Sequence, residues 1–594
     1  MVAQLLTERE SRQQVSDGML ETYGEEVPLF KTLHEKVRSR NDQFVENAQD
    51  NAEMQQKLAG ANLEQLGNIR HAAIRLALQD EMEMFVRVMN QLVQFPVAYY
   101  DLTASGTPVK STVLRPVHDE EIQENAFTIF SSMLDFEALD FSSDPELRSV
   151  IEDVLEERRI EHFKGEGIFS QKLIELVEKA EIEGLSEEER QEYVKEVVDI
   201  FQLNKESLID KDTYERIKDI SPVASDILGA GLNINHLTPD TPDISGVYED
   251  MKAENIVMNG FIYGPKGIDI LLEQTSFKAV TVELTTPEGE KIEHQARFGE
   301  VESRGMAISV SGREIYDEVL KEINSQIKEE REAFKEQLKK EGKEYSGEIR
   351  DNKESELGEK YIKIGMEKFP EAFPNTEKDL ALQGLAYFKY EINEEALAQA
   401  DSQEIKDILD QVQKTQLKLS ENESDQQKII TEELNPLMEA LVEAGVAERN
   451  RIKYRDFLPA SAAGIFSSNR DKDGAVKEAQ DMAIAQWYKE EIGVTNFYDL
   501  YEHTQAKAMM ETLSKLEEKG IKVDGIDTGK AALQEAFEKG DPDKIVQNHR
   551  DNVIPKLREK FKEAQKEILG EPNQEVGKDK GIDDSPDVDQ RVGK

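Results

Sequence analysis

Cysteine is missing altogether from the 594 residues, which removes disulfides, thiolate nucleophiles, zinc–thiolate sites and iron–sulfur clusters together. Long apolar runs are missing too: none approaches the ~18 residues of a membrane-spanning helix. The start, MVAQLLTERESRQQ, has neither a cationic segment nor an apolar core, so a soluble, unprocessed, cytoplasmic chain is expected. Basic residues are scarce relative to acidic ones, 74 against 123, a net charge of −49. Such a field disfavours nucleic acid and anionic membrane as partners and leaves small molecules as the natural ligands. An acidic excess of this kind reads first as a strongly charged, solvated surface, with adaptation to a salty cytosol as the functional alternative. No G-x-S-x-G, H-E-x-x-H or G-x-G-x-x-G string occurs, so the common hydrolase, zincin and dinucleotide signatures are absent. Residues 525–531, GIDTGKA, have too few residues between their glycines for a phosphate-binding loop. NRDKDG at 469–474 begins like a calcium loop but has Gln480 at the twelfth position, where a bidentate carboxylate is needed.

The chain does contain adequate material for several cores, at 38% hydrophobic and 7% aromatic residues. It also contains three separated segments, each centred on one metal-capable residue: GNIRHAAIR with His71, NINHLTPDTPDIS with His236 and ARFGEVESRG with Glu300. Two imidazoles and a carboxylate with coordination positions to spare suit non-haem Fe(II). The spacing fits no short metal motif, so residue types alone leave ordinary core histidines as the alternative.

Periodicity predicts helices over residues 1–65, and His34 there reads as an ordinary helix residue. A long helix is expected through His71, because Ile69, Ala73, Leu76, Leu78, Met82, Phe85, Val86 and Met89 recur near helical spacing. On that helix His71 and Arg75, four apart, would share a face. Residues 145–220 read as a charged helical cover. Then NIVMNGFIYG, DILLEQTSFKAV and TVELTTPEGEKIEHQARFGEVE read as strands, with the turn at Pro287-Glu288-Gly289. His236 falls at the entry to the sheet and Glu300 near a strand end. His294, six residues earlier on the same strand face, is a rival ligand. Residues 321–360 and the stretch after GLAYFKY are charged helices, either a self-association arm or passive decoration. The tail, 570–594, has the composition of a disordered segment.

Over long stretches the chain resembles the 2-oxoadipate dioxygenase/decarboxylase (2-hydroxyglutarate synthase) family. The blocks, in order, are HAAIRLALQDEMEMFVRVMNQLVQFPVAYYDLTASGTPVKSTVLRP, NINHLTPDTPDI, ILLEQTSFKA, ARFGEVESRGMAISVSGREIYD and YRDFLPASAAGIFSSN. The resemblance implies an α+β fold: a vicinal-oxygen-chelate β-sheet module covered by many helices, with charged helical insertions. Its divisions would be 1–65 (helical), 66–320 (metal-binding module with the cover at 145–220), 321–450 (insertions around a family-like block at 376–391), 451–569 (pocket-completing segment and C-terminal helices) and 570–594 (tail). It implies Fe(II) bound by His71, His236 and Glu300, and an activity converting 2-oxoadipate and O2 to 2-hydroxyglutarate and CO2. Arg75 would pair with a substrate carboxylate through its planar fork, and Ala460 and Ser461 would line the pocket. Ala460 stands where the family more often has Val, and Lys110 where His is usual, which leaves substrate chain length open. Arg115 and Arg297 are expected to pair with buried acids. A vicinal-oxygen-chelate lyase or isomerase without O2 chemistry and a non-catalytic acidic scaffold remain alternatives, and oligomeric state is unassigned.

Overall fold

The computed structural model describes the chain except for residues 1, 59–61, 104–105, 204, 230–233, 260, 417–425, 459–484, 524 and 571–594. The pocket-lining pair Ala460 and Ser461, the calcium-like string and the polar tail beyond 570 therefore lie outside the described residues. Of residues 295–297, which include Arg297, only the backbone is described.

The centre is an eight-stranded sheet built from two β-α-β-β-β units. In the first, β1 (Ile69–Leu76) is followed by the helix Gln79–Asn90, β2 (Phe95–Asp101), β3 (Val109–Arg115) and β4 (Thr128–Leu134). β4 returns parallel to β1, and β3 lies antiparallel between β2 and β4. The second repeats the plan with β5 (Ile234–Pro239), the helix Ile244–Ala253, β6 (Leu272–Ser276), β7 (Val280–Thr285) and β8 (Lys291–Arg304). Here β8 is parallel to β5 and antiparallel to both β6 and β7. The units join where β1 and β5 pair antiparallel, with His71 opposite Thr238 and Ala73 opposite His236. This is the α+β sheet module that was expected, under many helices.

One expectation is corrected. Residues 69–76 form a strand, and the helix begins only at Gln79, where the Glu81 carboxylate accepts hydrogen bonds from the Ala77 (2.8 Å) and Leu78 (3.2 Å) amides. β1 lies between β4 and β5 and is buried on both faces, so its apolar residues Ile69, Ala72, Ala73, Ile74 and Leu76 fall on both faces and not on one. A short run of that kind satisfies helical and extended periods alike, and here the sheet decided. NIVMNGFIYG also departs from expectation, making the isolated bridges Met258–Phe277 and Tyr263–Gln274 and not a strand.

Alternation along β1 sends Ala72, Ile74 and Leu76 into one apolar cluster, shared with Leu237 of β5 and Val301 of β8. Ala73 goes into the other, with Val113 and Phe130. Phe30, Leu33 and Val37 of the helix Pro28–Ala48 close the first cluster. That helix comes so near β8 that a Cβ at residue 299 would collide with Phe277, Leu33 and Phe30, which is why a glycine stands between Phe298 and Glu300. The charged cover consists of the helices Leu147–Lys164, Gln171–Ile182, Glu187–Ile200 and Lys211–Ile220. The first charged insertion is an antiparallel hairpin of Val310–Lys340 and Gly347–Ala372, laced by Arg331–Glu354 (2.6 Å) and Lys353–Glu330 (2.8 Å). Among the described residues no helix is long and apolar enough to cross a membrane.

Candidate metal centre

Three strands bring His71, His236 and Glu300 together. One ligand-capable atom from each lies within 4.8 Å of the others, and all three side chains are buried. The sheet explains the convergence: β1 carries His71 beside β5, and β5 carries His236 beside β8, where His236 pairs with Phe298 two residues before Glu300. The His71 and His236 Nε2 atoms are 3.2 Å apart. Glu300 presents Oε1 at 3.2 Å from His71 Nε2 and Oε2 at 3.8 Å from His236 Nε2. Gln274 Nε2 donates to Glu300 Oε1 (2.7 Å), whereas Glu300 Oε2 is buried with no hydrogen-bond partner among the described residues.

The electrostatics suit a cation at this point. Burial raises the Glu300 carboxyl above its ordinary value despite His71 nearby, and burial together with His71 pushes His236 well below its own. A neutral imidazole and a desolvated carboxylate are the ligand forms a divalent ion requires, and its charge offsets the desolvation that burial imposes. The donor set therefore fits a metal.

Behind the cluster stands a pair that sequence reading missed. Glu302 Oε2 lies 2.8 Å from His71 Nδ1, leaving Nε2 to face the cluster. Burial works against the Glu302 carboxylate, but Arg304 and His71 hold it well below the usual carboxylate range. Arg304 Nε reaches Glu302 Oε1 at 2.5 Å, and Arg304 also donates to the Asp456 carbonyl at 2.9 Å. Although burial lowers the His71 pKa, Glu302 and Glu300 together carry it above the ordinary value. The signal was available: in a strand, residues 300, 302 and 304 share a face. Phe457 meets His71 edge-on at 4.8 Å and Phe298 stacks on His236 at 4.9 Å, giving the centre apolar walls.

Arg75 shares a face with His71, but by strand alternation and not by a helical turn. Four strand residues separate their Cα atoms by about 13 Å. Arg75 is buried and paired with Asp226, whose other oxygen is 3.1 Å from His294 Nε2. His294 also contacts the Tyr214 hydroxyl through Nδ1. It belongs to this Arg75–Asp226–Tyr214 group and not to the metal-type cluster. Ser132 lies opposite Arg75 on β4, and its hydroxyl is 2.9 Å from that of Ser111 on β3. Arg115 makes the expected buried pair, a fork onto Asp456 at 2.9 and 3.2 Å, with Tyr501 donating to the same carboxylate at 2.6 Å. Lys110 pairs with Asp135 at 2.7 Å, and the ring of His34 is 3.0 Å from the Gly67 carbonyl.

Residues 15–469 match the family model described as 2-oxoadipate dioxygenase/decarboxylase. A curated 2-oxoadipate dioxygenase/decarboxylase from Pseudomonas putida is 30% identical over 496 residues, covering 81% of this chain and 93% of the relative. One from Escherichia coli is 30% identical over 495 residues, covering 81% and 94%. Among solved structures, hydroxyglutarate synthase from Pseudomonas putida in complex with 2-oxoadipate superposes with a TM-score of 0.64 at 27% identity, covering 86% of this chain and 98% of that one. A protein from Shigella flexneri superposes with a TM-score of 0.61 at 26% identity, covering 85% and 99%.

Proposed function

The chain belongs to the 2-oxoadipate dioxygenase/decarboxylase family, and from that premise we propose that it converts 2-oxoadipate, or a similar 2-oxo diacid, and O2 to 2-hydroxyglutarate and CO2, with Fe(II) held by His71, His236 and Glu300. The observation that carries this reading is the convergence of those three buried donors from three strands. When bound, Fe(II) supplies the redox chemistry that oxidative decarboxylation with O2 needs, and this donor set leaves positions open for substrate and oxygen.

The chain's own residues bind and orient. Glu302 fixes the His71 ring, and Gln274 fixes one oxygen of Glu300. Arg75, farther along the same face of β1, is placed to take the distal carboxylate of a diacid whose 2-oxo acid end lies at His71, His236 and Glu300. Its resting partner is Asp226. A substrate carboxylate entering there exchanges one anionic partner for another, so the guanidinium is never left buried and unpaired. Phe298 and Phe457 keep water from the reacting end. Ala460 and Ser461, outside the described residues, enter this reading only through the family resemblance.

Anaerobically purified protein reconstituted with Fe(II) should consume one O2 and release one CO2 for each 2-oxoadipate, and the hydroxy acid should be found by mass spectrometry. Turnover of the 2-oxo diacid without O2 uptake would assign the site to lyase or isomerase chemistry and overturn the proposal.

A further inference from the structure

At the start of β1 the surface opens into a cleft whose walls include Arg70, Lys453, Arg455 and Lys57. None of His71, His236 and Glu300 lines it. In a chain of net charge −49 the cleft gathers five basic residues, Lys57, Arg70, Arg304, Lys453 and Arg455, against two carboxylates, Asp240 and Asp269. Arg70 and Arg455 make no side-chain hydrogen bond or ion pair among the described residues. Lys453 Nζ donates to the Lys57 (2.8 Å) and Arg304 (3.3 Å) carbonyls and to no carboxylate.

The two carboxylates on the walls are fewer than the cations, and Asp240 offsets part of the Arg70 charge. Asp269 pairs with Arg451 at 2.5 Å, and Asp240 accepts from the Gly67 amide at 3.1 Å. Arg304, on the cleft wall, is held by Glu302. Burial pulls Arg455 to about 10, and burial pulls Lys453 to about 8 although Asp269 and Asp240 act in the opposite direction. A folded protein keeps like charges facing one cavity at a cost in stability, which a bound anion removes.

We propose that this cleft is a second binding site, separate from the metal-type centre, for a small polyanion whose carboxylate or phosphate oxygens bridge Arg70 and Arg455 beside Lys453. Planar guanidinium forks suit both oxyanions. Gln65, Asn68, Gln123 and Ser303 add neutral polar groups to the walls.

Calorimetric titration of the full-length protein with inorganic phosphate and with succinate, at fixed NaCl, tests the site. Saturable binding of phosphate alone, succinate alone or both supports it and identifies the oxyanion. Arg455→Gln and Arg70→Gln should each weaken that binding by about tenfold or more, while His236→Ala, which alters only the metal-type centre, should leave it unchanged. Because Arg70 adjoins His71, Arg455→Gln is the deciding variant. Its melting temperature without anion should equal or exceed that of the parent, since a repelling charge is gone. Absence of saturable binding of either anion, full affinity in Arg455→Gln, or loss of affinity in His236→Ala overturns the proposal.

Discussion

At the scale of single residues, His71, His236 and Glu300 were legible because their segments are distinctive strings, and Glu302 and Arg304 were not, because they look like ordinary surface charge in GEVESRG. Placing 300, 302 and 304 on one strand face turns those charges inward, and only the sheet settles that. Their different positions predict different losses. His71→Ala, His236→Ala and Glu300→Ala should each abolish stoichiometric Fe(II) binding and turnover with the fold kept, as read by metal analysis and circular dichroism. Glu302→Gln keeps an acceptor for His71 Nδ1 but removes the negative charge, so iron should still bind, about 10- to 100-fold more weakly. Equal iron affinity in Glu302→Gln and the parent would reduce Glu302 to a partner of Arg304. Arg75 was legible as a candidate for the wrong geometric reason, a helical turn, yet strand alternation also keeps it on the His71 face. Arg75→Lys loses the fork and Arg75→Ala the charge. Because a buried charge-assisted contact is worth about 2–5 kcal/mol when truncated, kcat/KM for 2-oxoadipate should fall roughly 30-fold or more in Arg75→Ala. A monocarboxylic 2-oxo acid should be much less affected, and iron content should hold. Iron loss in Arg75→Ala matching that of His71→Ala would make Arg75 a structural partner of Asp226.

At the scale of elements, the acidic cover helices and the β7–β8 hairpin were readable because their periods persist over many residues. The turn at Pro287-Glu288-Gly289 appears with Gly289 at φ +83°. β1 was misread because its apolar residues, Ile69, Ala72, Ala73, Ile74 and Leu76, fall on both faces of the strand and carry no clear period of their own. Gly299 shows what sequence alone does not price: its missing side chain lets the helix Pro28–Ala48 lie on β8 next to a proposed ligand. Another such contact joins the helices Leu147–Lys164 and Ile554–Leu569. His162 sits there among Phe163, Phe169 and Phe561, with ring centroids 4.9, 5.8 and 5.7 Å away, and neither ring nitrogen has a hydrogen-bond partner among the described residues. Burial pushes it from 6.5 down to about 4. The unfolded chain therefore takes up a proton, between those two values, that the folded chain refuses. Stability from neutral His162 is present above about pH 6.5 and is lost as the pH falls toward 4. That window is worth roughly 3 kcal/mol at most. His162→Phe fills the same aromatic cage without a titrating group, so its stability advantage over the parent in urea denaturation should grow between pH 7 and pH 4.5. Parallel stability curves over that range would show that His162 is not buried neutral.

At the scale of the whole molecule, the sequence told the sign of the field but not how it is arranged. The hairpin Val310–Lys340/Gly347–Ala372 read as exposed charge, yet Tyr316, Val319, Leu320, Ile323 and Ile327 bury its base. Tyr361 packs on Phe261 at 5.9 Å beside the second sheet unit. Its outer charges pair with one another, but pairing is bounded by supply: even if all 74 basic residues were matched one to one, 49 acidic charges would remain. Two effects of salt then oppose each other. Close ion pairs weaken, but exposed pairs contribute only about 0–1 kcal/mol each, and partly buried ones such as Arg331–Glu354 are poorly screened. Repulsion among the unmatched carboxylates acts over longer distances, and at ~0.1 M salt the screening length is already about 10 Å, so it is removed first. The folded, compact state gains from that removal more than the expanded chain does. The melting temperature should therefore rise between about 0.02 M and 0.5 M salt, with NaCl and KCl equivalent because the effect is screening and not specific ion binding. Differential scanning calorimetry at fixed pH provides the measurement. A melting temperature that falls across that range would mean that ion pairs outweigh the acidic excess, and a rise seen with only one of the two cations would mean that a bound ion, rather than screening, stabilises the chain.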